Sequence, residues 1–239
     1  MKNAKNYLVI GGQSAIGQIL GQRLADEGHS VYVISRNPVD AERSANIYHA
    51  TLNILNDSLQ SLDEFLPERL DGMVYCPGTI NLKPFTRLTE DDFINDFKIN
   101  VLGAVRIIQY IIARLKKADQ ASVVLFSTVA VKSGMPFHAS VAAAKAAVEG
   151  LARSLAAEYA KSGIRFNVVA PSITDTPMAA YLLNSEQKVE ASKKRHPIKA
   201  IGQPRDMAEG AYFLITEQSR WMTGQILHID GGLSSLFST

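Results

Sequence analysis

Near the amino end, Gly11-Gly12-Gln13-Ser14-Ala15-Ile16-Gly17 follows an apolar run, Tyr7-Leu8-Val9-Ile10. It precedes a stretch with Ile16, Ile19, Leu20 and Leu24 at helical spacing. Glycines let a chain turn tightly and let backbone N–H groups approach a pyrophosphate, and a helix N-terminus adds a favourable partial charge. Between a strand and a helix, such a turn reads as a dinucleotide phosphate site; without that context it would be only a turn. A second strand ends in Ile34-Ser35-Arg36. Sites selective for NAD usually carry a carboxylate there, accepting from the adenosine ribose 2′-hydroxyl. A guanidinium beside a serine suits a 2′-phosphate instead, as fork donor and as charge. NADP(H) is the expected cofactor and NAD(H) the lesser alternative. The other reading of Arg36 is a solvated surface arginine.

Further short motifs run in a familiar order. Gly11 and Gly17 fit T-G-x-x-x-G-x-G, with Ile10 for the threonine and Ala15 for the middle glycine. Tyr75-Cys76-Pro77-Gly78 stands for N-N-A-G, and Asn100-Val101-Leu102-Gly103 matches N-x-x-G. Lys145 matches the lysine of Y-x-x-x-K, Ala170-Pro171-Ser172 matches A-P-G, and Asp230-Gly231-Gly232 matches D-G-G. Over its whole length the chain resembles the short-chain dehydrogenase/reductase family, the 3-oxoacyl-thioester reductases among them. The resemblance implies cofactor contacts from Gly11, Gln13, Ser14, Ala15, Ile16, Gly17, Ser35 and Arg36. It puts Asn53 where an aspartate usually meets the adenine. It adds Cys76, Pro77, Gly78, Asn100 and Lys145, and Pro171, Ser172, Thr174 and Thr176 after the sixth strand.

The chemistry implied by the resemblance is hydride transfer between a nicotinamide and a carbonyl or alcohol carbon. A tyrosine exchanges the proton on oxygen, a serine hydrogen-bonds that oxygen, a lysine holds the nicotinamide ribose, and an asparagine completes a relay. Asn100 and Lys145 are present, and Thr128 stands for the serine. The tyrosine position, four residues before Lys145, is Val141, which carries no proton. General acid catalysis is worth ~10²–10⁴-fold, so another group must supply it or the ordinary reaction is crippled. His138, Ser140 and Thr128 lie nearest in sequence. If the helix reaches His138, it shares a face with Val141, and an imidazole titrates near ~6.5. The alternative for His138 is a helix-capping or exposed residue. Cys76 reads as a small buried hydrophobe. Two functions stand: an NADP(H)-preferring oxidoreductase with a remodelled proton donor, and an inactive dinucleotide-binding protein, a cofactor sensor or partner subunit. Asn100, Thr128 and Lys145 favour the first, Val141 the second. Residues 133–141 and 174–196 are the expected pocket walls, made apolar by Met135, Phe137, Met178, Tyr181 and Leu182.

The elements that must position these groups alternate in type. β-branched runs at 7–10, 30–34, 47–50, 72–75, 121–126, 164–169 and 225–229 read as strands. Residues 16–27, 91–117 and 140–162 read as helices, the second started by Thr89 and the third stopped at Gly163. Pro171 is expected to end the sixth strand, and 172–203 is the least regular region. The expected fold is a doubly wound, Rossmann-type α/β domain over 1–239, a seven-stranded parallel sheet with helices on both faces. Of the 239 residues, 46% are hydrophobic and 20% charged, which suits a substantial core. A net charge of +2 with no basic stripe gives no reason to expect nucleic acid. Lys193-Lys194-Arg195 reads as a solvated helix face. One cysteine allows no internal disulfide, no secretory leader is visible in the first residues, and no run suits a bilayer. The expected location is the cytoplasm. The expected partners are a small carbonyl or alcohol substrate and, through helices carrying Ala142, Ala146 and Gly150, further copies in a homodimer or homotetramer.

Overall fold

The computed structural model describes residues 4–38 and 45–237; residues 1–3, part of the N-terminal stretch read above, lie outside it. Its strands are β1 (Asn6–Ile10), β2 (Ser30–Ser35), β3 (Ile47–Thr51), β4 (Gly72–Tyr75), β5 (Ala121–Phe126), β6 (Ile164–Pro171) and β7 (Ile226–Ile229). They form one parallel sheet in the order β3-β2-β1-β4-β5-β6-β7. The helices are α1 (Ala15–Asp26), α2 (Glu90–Phe97), α3 (Gly103–Leu115), α4 (Val129–Ser133), α5 (Ala139–Tyr159), α6 (Glu186–Arg195) and α7 (Pro204–Ile215). This is the doubly wound α/β architecture that the alternation implies.

The central strands are apolar on both sides because both faces are covered. On one face Leu8, Met73, Val123 and Phe166 pack with Ile107 and Ile111 of α3 and Val148 of α5. On the other, Val9, Val74 and Val124 pack with Leu20 and Leu24 of α1 and Leu214 of α7. Neighbours such as Leu8 and Val9 thus serve opposite faces. Each such fully buried side chain contributes roughly 1.5–3 kcal/mol. Among the described residues, no helix is long and apolar enough to cross a membrane.

Three readings change. The helix expected over 91–117 is broken: a π turn, Lys98–Leu102, separates α2 from α3. Tyr75, at the end of β4, inserts there and donates to the Ile99 carbonyl at 2.7 Å. A Cβ on Gly103 would collide with that phenol oxygen, so the helix bulges around an inserted side chain. Pro171 does not stop β6 before it but is the strand's last residue, where its missing N–H costs no ladder bond. The region 172–203 is more regular than expected, since it holds a 3-10 segment, Pro177–Leu182, and then α6. The basic run 193–195 is the last turn of α6, where cations suit the helix dipole.

Candidate active site

The strands end in register at one edge: Ile10 pairs with Ile34 and Tyr75, and Phe126 with Val169. From β1 the sheet grows one way through β2 and the other through β4, so a crevice opens above β1 and β4. Two adjoining cavities of about 740 and about 300 Å³ occupy it, sharing Gln13, Ser14, Cys76, Gly78 and Met178.

The glycine turn forms the floor between them. Gly11 has φ 71°, a left-handed conformation that glycine adopts without strain. A Cβ on Gly17 would sit 2.6 Å from the Gly12 Cα and 2.9 Å from the Gly11 carbonyl oxygen. Ser14 caps α1, its Oγ accepting from the Gly17 N–H at 3.1 Å. Gln13 Nε2 donates to the carbonyls of Asn37 and Pro38, both at 2.9 Å, and ties the turn to the chain after β2. Ala15 and Ile16 begin α1 and line the larger cavity.

Ser35, Arg36, Asn53 and Pro77 line the smaller cavity. Ser35 is buried and its Oγ has no hydrogen-bond partner. Arg36 is exposed, and no carboxylate among the described residues pairs with it. Asn53 is less free than its type implies: its Oδ1 accepts from the Leu55 N–H at 3.1 Å and closes a local turn.

Thr128, Val141 and Lys145 line the larger cavity. The Thr128 Oγ1 also caps α4, accepting from the Ala130 N–H at 3.3 Å. Ser127 turns to the buried Glu149 at 2.7 Å. Lys145 is buried and its Nζ donates to the Phe126 carbonyl at 2.8 Å. Burial pushes its ammonium down from 10.5 to about 8, against the upward pull of Asp96 and Cys76. Asn100 sits in the π turn, and its Nδ2 donates to Thr79 Oγ1 at 2.9 Å and to the Asp96 carbonyl at 2.8 Å. Thr79 donates in turn to Asp96 Oδ1 at 2.6 Å. Asn100 Oδ1 and Asp96 Oδ2 remain buried without partners. A Cβ on Gly78 would meet Asn100 Oδ1 at 3.2 Å and Lys145 Nζ at 3.3 Å, so glycine there leaves room for both. Sequence reasoning passed over Thr79 and Asp96. Asp96 lies one helical turn before Asn100, a spacing that could have marked it.

Other expectations need adjusting. α5 begins at Ala139, so His138 precedes the helix rather than sharing a face with Val141. Its ring Nδ1 lies 2.7 Å from the Pro136 carbonyl, and it makes no side-chain cap, although it lines the cavity. Ser140 is buried without a partner and does not reach the cavity wall. Met135, Met178 and Leu182 line the wall as expected, but Phe137 and Tyr181 are exposed outside it. Cys76 does have a positive neighbour, Lys145, which the fold alone reveals. Burial still pushes its thiol up to about 12, against a hydrogen bond with Ser14 and that charge. Pro171, Ser172, Thr174 and Thr176 all line the larger cavity, and Thr174 Oγ1 donates to the Ser172 carbonyl at 3.1 Å. Opposite them, His196 is buried, its Nε2 2.8 Å from Ser172 Oγ.

A family profile described as enoyl-(acyl carrier protein) reductase matches residues 10–234. The chain belongs to the short-chain dehydrogenase/reductase family. It is 30% identical to a 3-oxoacyl-[acyl-carrier-protein] reductase of Thermotoga maritima, over 96% of this chain and 97% of that one. It is 29% identical to a tropinone reductase homolog of Arabidopsis thaliana, over 96% and 92%. Ligand-free aldohexose dehydrogenase of Thermoplasma acidophilum superposes with a TM-score of 0.89 at 26% identity, over 99% of this chain and 97% of that one. A tyrosine-to-phenylalanine variant of ElxO with NADPH bound superposes with a TM-score of 0.88 at 27% identity, over 98% and 100%. Family membership makes the crevice the place to look for NAD(P) and for a small-molecule substrate.

Proposed function

We propose that this chain is an NADP(H)-dependent oxidoreductase that interconverts a carbonyl and an alcohol, with a remodelled proton donor. The observation that carries the reading is that Lys145 and Thr128 line the cavity beside the glycine turn, with Asn100 buried just behind its wall at Gly78. When bound, the cofactor supplies or takes the hydride. Gly11 to Gly17 and the N-terminus of α1 hold the pyrophosphate. Ser35 and Arg36 take the 2′-phosphate; the partnerless Ser35 Oγ is a donor that such a ligand satisfies. Asn53 meets the adenine through its free amide nitrogen. Lys145, held by the Phe126 carbonyl, takes the nicotinamide ribose, Asn100 stands beside it with its Oδ1 open to a water or ligand donor, and Thr128 donates to the substrate oxygen. Met135, Met178 and Leu182 keep water from a small apolar substrate. NADPH-bound ElxO supports the cofactor choice by similarity.

The test is steady-state NADPH oxidation by purified protein against ketones, aldehydes and an acetoacetyl thioester. Turnover of one panel member bears the proposal out. Tight NADPH binding with no turnover favours the second reading, a non-catalytic dinucleotide-binding protein, for which Val141 speaks. We further propose a homodimer or homotetramer. On α5, Ala146 and Gly150 face outward, and a Cβ on Gly150 would meet nothing within 4 Å. Ile94, Phe97 and Leu102 are exposed near it on the broken helix. Light scattering at micromolar protein should give at least twice the mass of one chain; a single-chain mass refutes assembly.

A further inference from the structure

The larger cavity has one polar corner that the proposed reaction leaves unused. Ser172 follows β6, half-buried, at the position that the A-P-G pattern gives to glycine. His196 follows α6 and is buried. Its Nε2 lies 2.8 Å from Ser172 Oγ and its Nδ1 2.8 Å from the Ser192 carbonyl oxygen. A carbonyl only accepts, so Nδ1 carries a proton in both charge states. Nε2 is therefore the ring atom that faces the Ser172 hydroxyl and can accept from it or donate to it. Both side chains line the cavity that Thr128, Val141 and Lys145 also line.

The pair is buttressed. Asp230 accepts from the Gly232 N–H at 2.9 Å and the Ser234 N–H at 3.1 Å and folds a tight turn after β7. A Cβ on Gly231 would meet Ile198 Cγ1 at 3.0 Å and His196 Cβ at 3.4 Å, so glycine there lets this turn lie close against the histidine. Of the charged groups on the elements that carry and back His196, Lys188 and Arg195 of α6 line the same cavity, Lys193 and Lys194 share α6, Lys199 follows it, and Asp230 follows β7.

We infer that the Ser172–His196 pair delivers the proton that Val141 cannot, with Ser172 touching the substrate oxygen and His196 recharging it. This rests on the carbonyl-reducing reading above. In the imidazolium state Nε2–H donates to Ser172 Oγ, which frees the hydroxyl hydrogen for a carbonyl oxygen in the cavity. When a hydride from the reduced nicotinamide dinucleotide reaches the carbonyl carbon, the C=O π pair moves to oxygen. That oxygen takes the Ser172 proton while Ser172 Oγ takes the Nε2 proton. The carbonyl is reduced to the alcohol, the nicotinamide is oxidised, and the neutral imidazole regains its proton from solvent. In the alcohol-oxidising direction the same atoms run in reverse, with neutral Nε2 as acceptor.

Ser172→Gly restores the residue of the A-P-G pattern, and His196→Asn keeps a side-chain N–H for the Ser192 carbonyl but cannot titrate. Ser172→Gly should lower kcat for carbonyl reduction at least ~10-fold, a modest share of a general acid's contribution, with NADPH Kd changed less than about twofold. His196→Asn should lose as much and abolish the fall of kcat with rising pH. In cofactor-free protein, nitrogen NMR of His196 should show the Nδ1–H neutral tautomer, and Ser172→Gly should move its Nε2 resonance. Wild-type kcat in Ser172→Gly, or a neutral Nε2–H tautomer, overturns the inference and leaves the oxidoreductase reading standing. A wild type that binds NADPH but reduces no carbonyl overturns both.

Discussion

The two ends of the crevice are built from different materials. The end formed by β1, α1 and β2 is mostly backbone: a glycine turn, a helix N-terminus and close approaches that a single Cβ would block. The end formed by β4, α5 and β6 is mostly side chains: Asn100, Thr128, Lys145, Ser172 and His196. Backbone geometry tolerates changes of side chain, and the turn keeps its shape with Ile10 and Ala15 where the family pattern has threonine and glycine. A reaction centre depends on single atoms, so Val141 for tyrosine removes a proton donor outright. A cradle made of backbone is less sensitive to single substitutions than a centre made of side chains, so on the reading proposed above another group in the same cavity must supply the proton.

The largest effect should come from the buried charge at the side-chain end. Lys145 titrates near about 8 in the fold and at 10.5 in its ordinary state. Between those pH values the unfolded chain holds the extra proton, so this group adds stability as pH rises from 8 to 10.5. Below pH 8 its burial costs the full difference, about 3 kcal/mol at 1.36 kcal/mol per unit. Urea unfolding of Lys145→Met against wild type should therefore show the mutant's relative stability falling by about 3 kcal/mol between pH 7 and pH 10.5. The buried Tyr7 and Tyr75, both pushed up, destabilise both proteins alike at alkaline pH and cancel in the difference; Cys76 does not, because the Lys145 charge that draws its thiol down is lost in the variant. A pH-independent difference would mean that Lys145 is not held as an embedded cation.

At the backbone end, Gly17→Ala forces a Cβ to 2.6 Å from another residue's Cα, and no flexible side chain is there to yield. Overpacking of this kind costs ~1–3 kcal/mol. The turn must shift, and NADPH affinity should fall roughly 100-fold in a fluorescence titration, which is the upper part of that range. Unchanged affinity would show that the turn is not the phosphate cradle.

How legible each end was follows from the same contrast. Strands such as ASVVLF announce themselves because both faces of the sheet are covered, and the glycine turn announces itself by sitting between one of them and α1. The π turn at Lys98–Leu102 was not legible, because its cause is Tyr75, brought there from another strand. Of α6 only the basic run at its end read as helix, because EQKVEASKKR carries too few apolar residues for a helical stripe. Asn100 and Lys145 could be found by motif, whereas Asp96, whose charge opposes that of Lys145, had only its one-turn spacing from Asn100 to mark it. The Ser172–His196 bond spans 24 residues of chain and belongs to no spacing rule. Side-chain chemistry assembled across elements is what one sequence hides.

Val141→Tyr sharpens the comparison by returning the missing atom. Val141 is buried at the cavity wall, one helical turn before Lys145, whose charge would lower a phenol's pKa. Ketone turnover should rise about 10-fold, most plainly in the Ser172→Gly background, where the competing donor is gone. The variant is first to be shown folded and NADPH-bound, since a ring in a space packed around valine costs ~1–3 kcal/mol. No gain in either background would mean that protonation does not limit the reaction.

Arg36→Ala should give the smallest effect, because an exposed guanidinium works through solvent. The arginine stands at the rim of the smaller cavity, beyond the partnerless Ser35 hydroxyl. Charge-assisted hydrogen bonds to phosphate are worth more than neutral ones, yet solvent-exposed ion pairs deliver only ~0–1 kcal/mol. The expected loss for NADPH is therefore about fivefold, equivalent to ~1 kcal/mol. NADH lacks the 2′-phosphate and should bind the variant and the wild type alike. Raising the ionic strength should shrink the NADPH loss, since exposed charges are screened over ~10 Å at 0.1 M salt. Titration of both nucleotides at two salt concentrations reads all three outcomes. Equal wild-type affinity for NADH and NADPH would remove the phosphate from the argument. Ser35 and Asn53 would then carry the adenosine end through neutral hydrogen bonds alone.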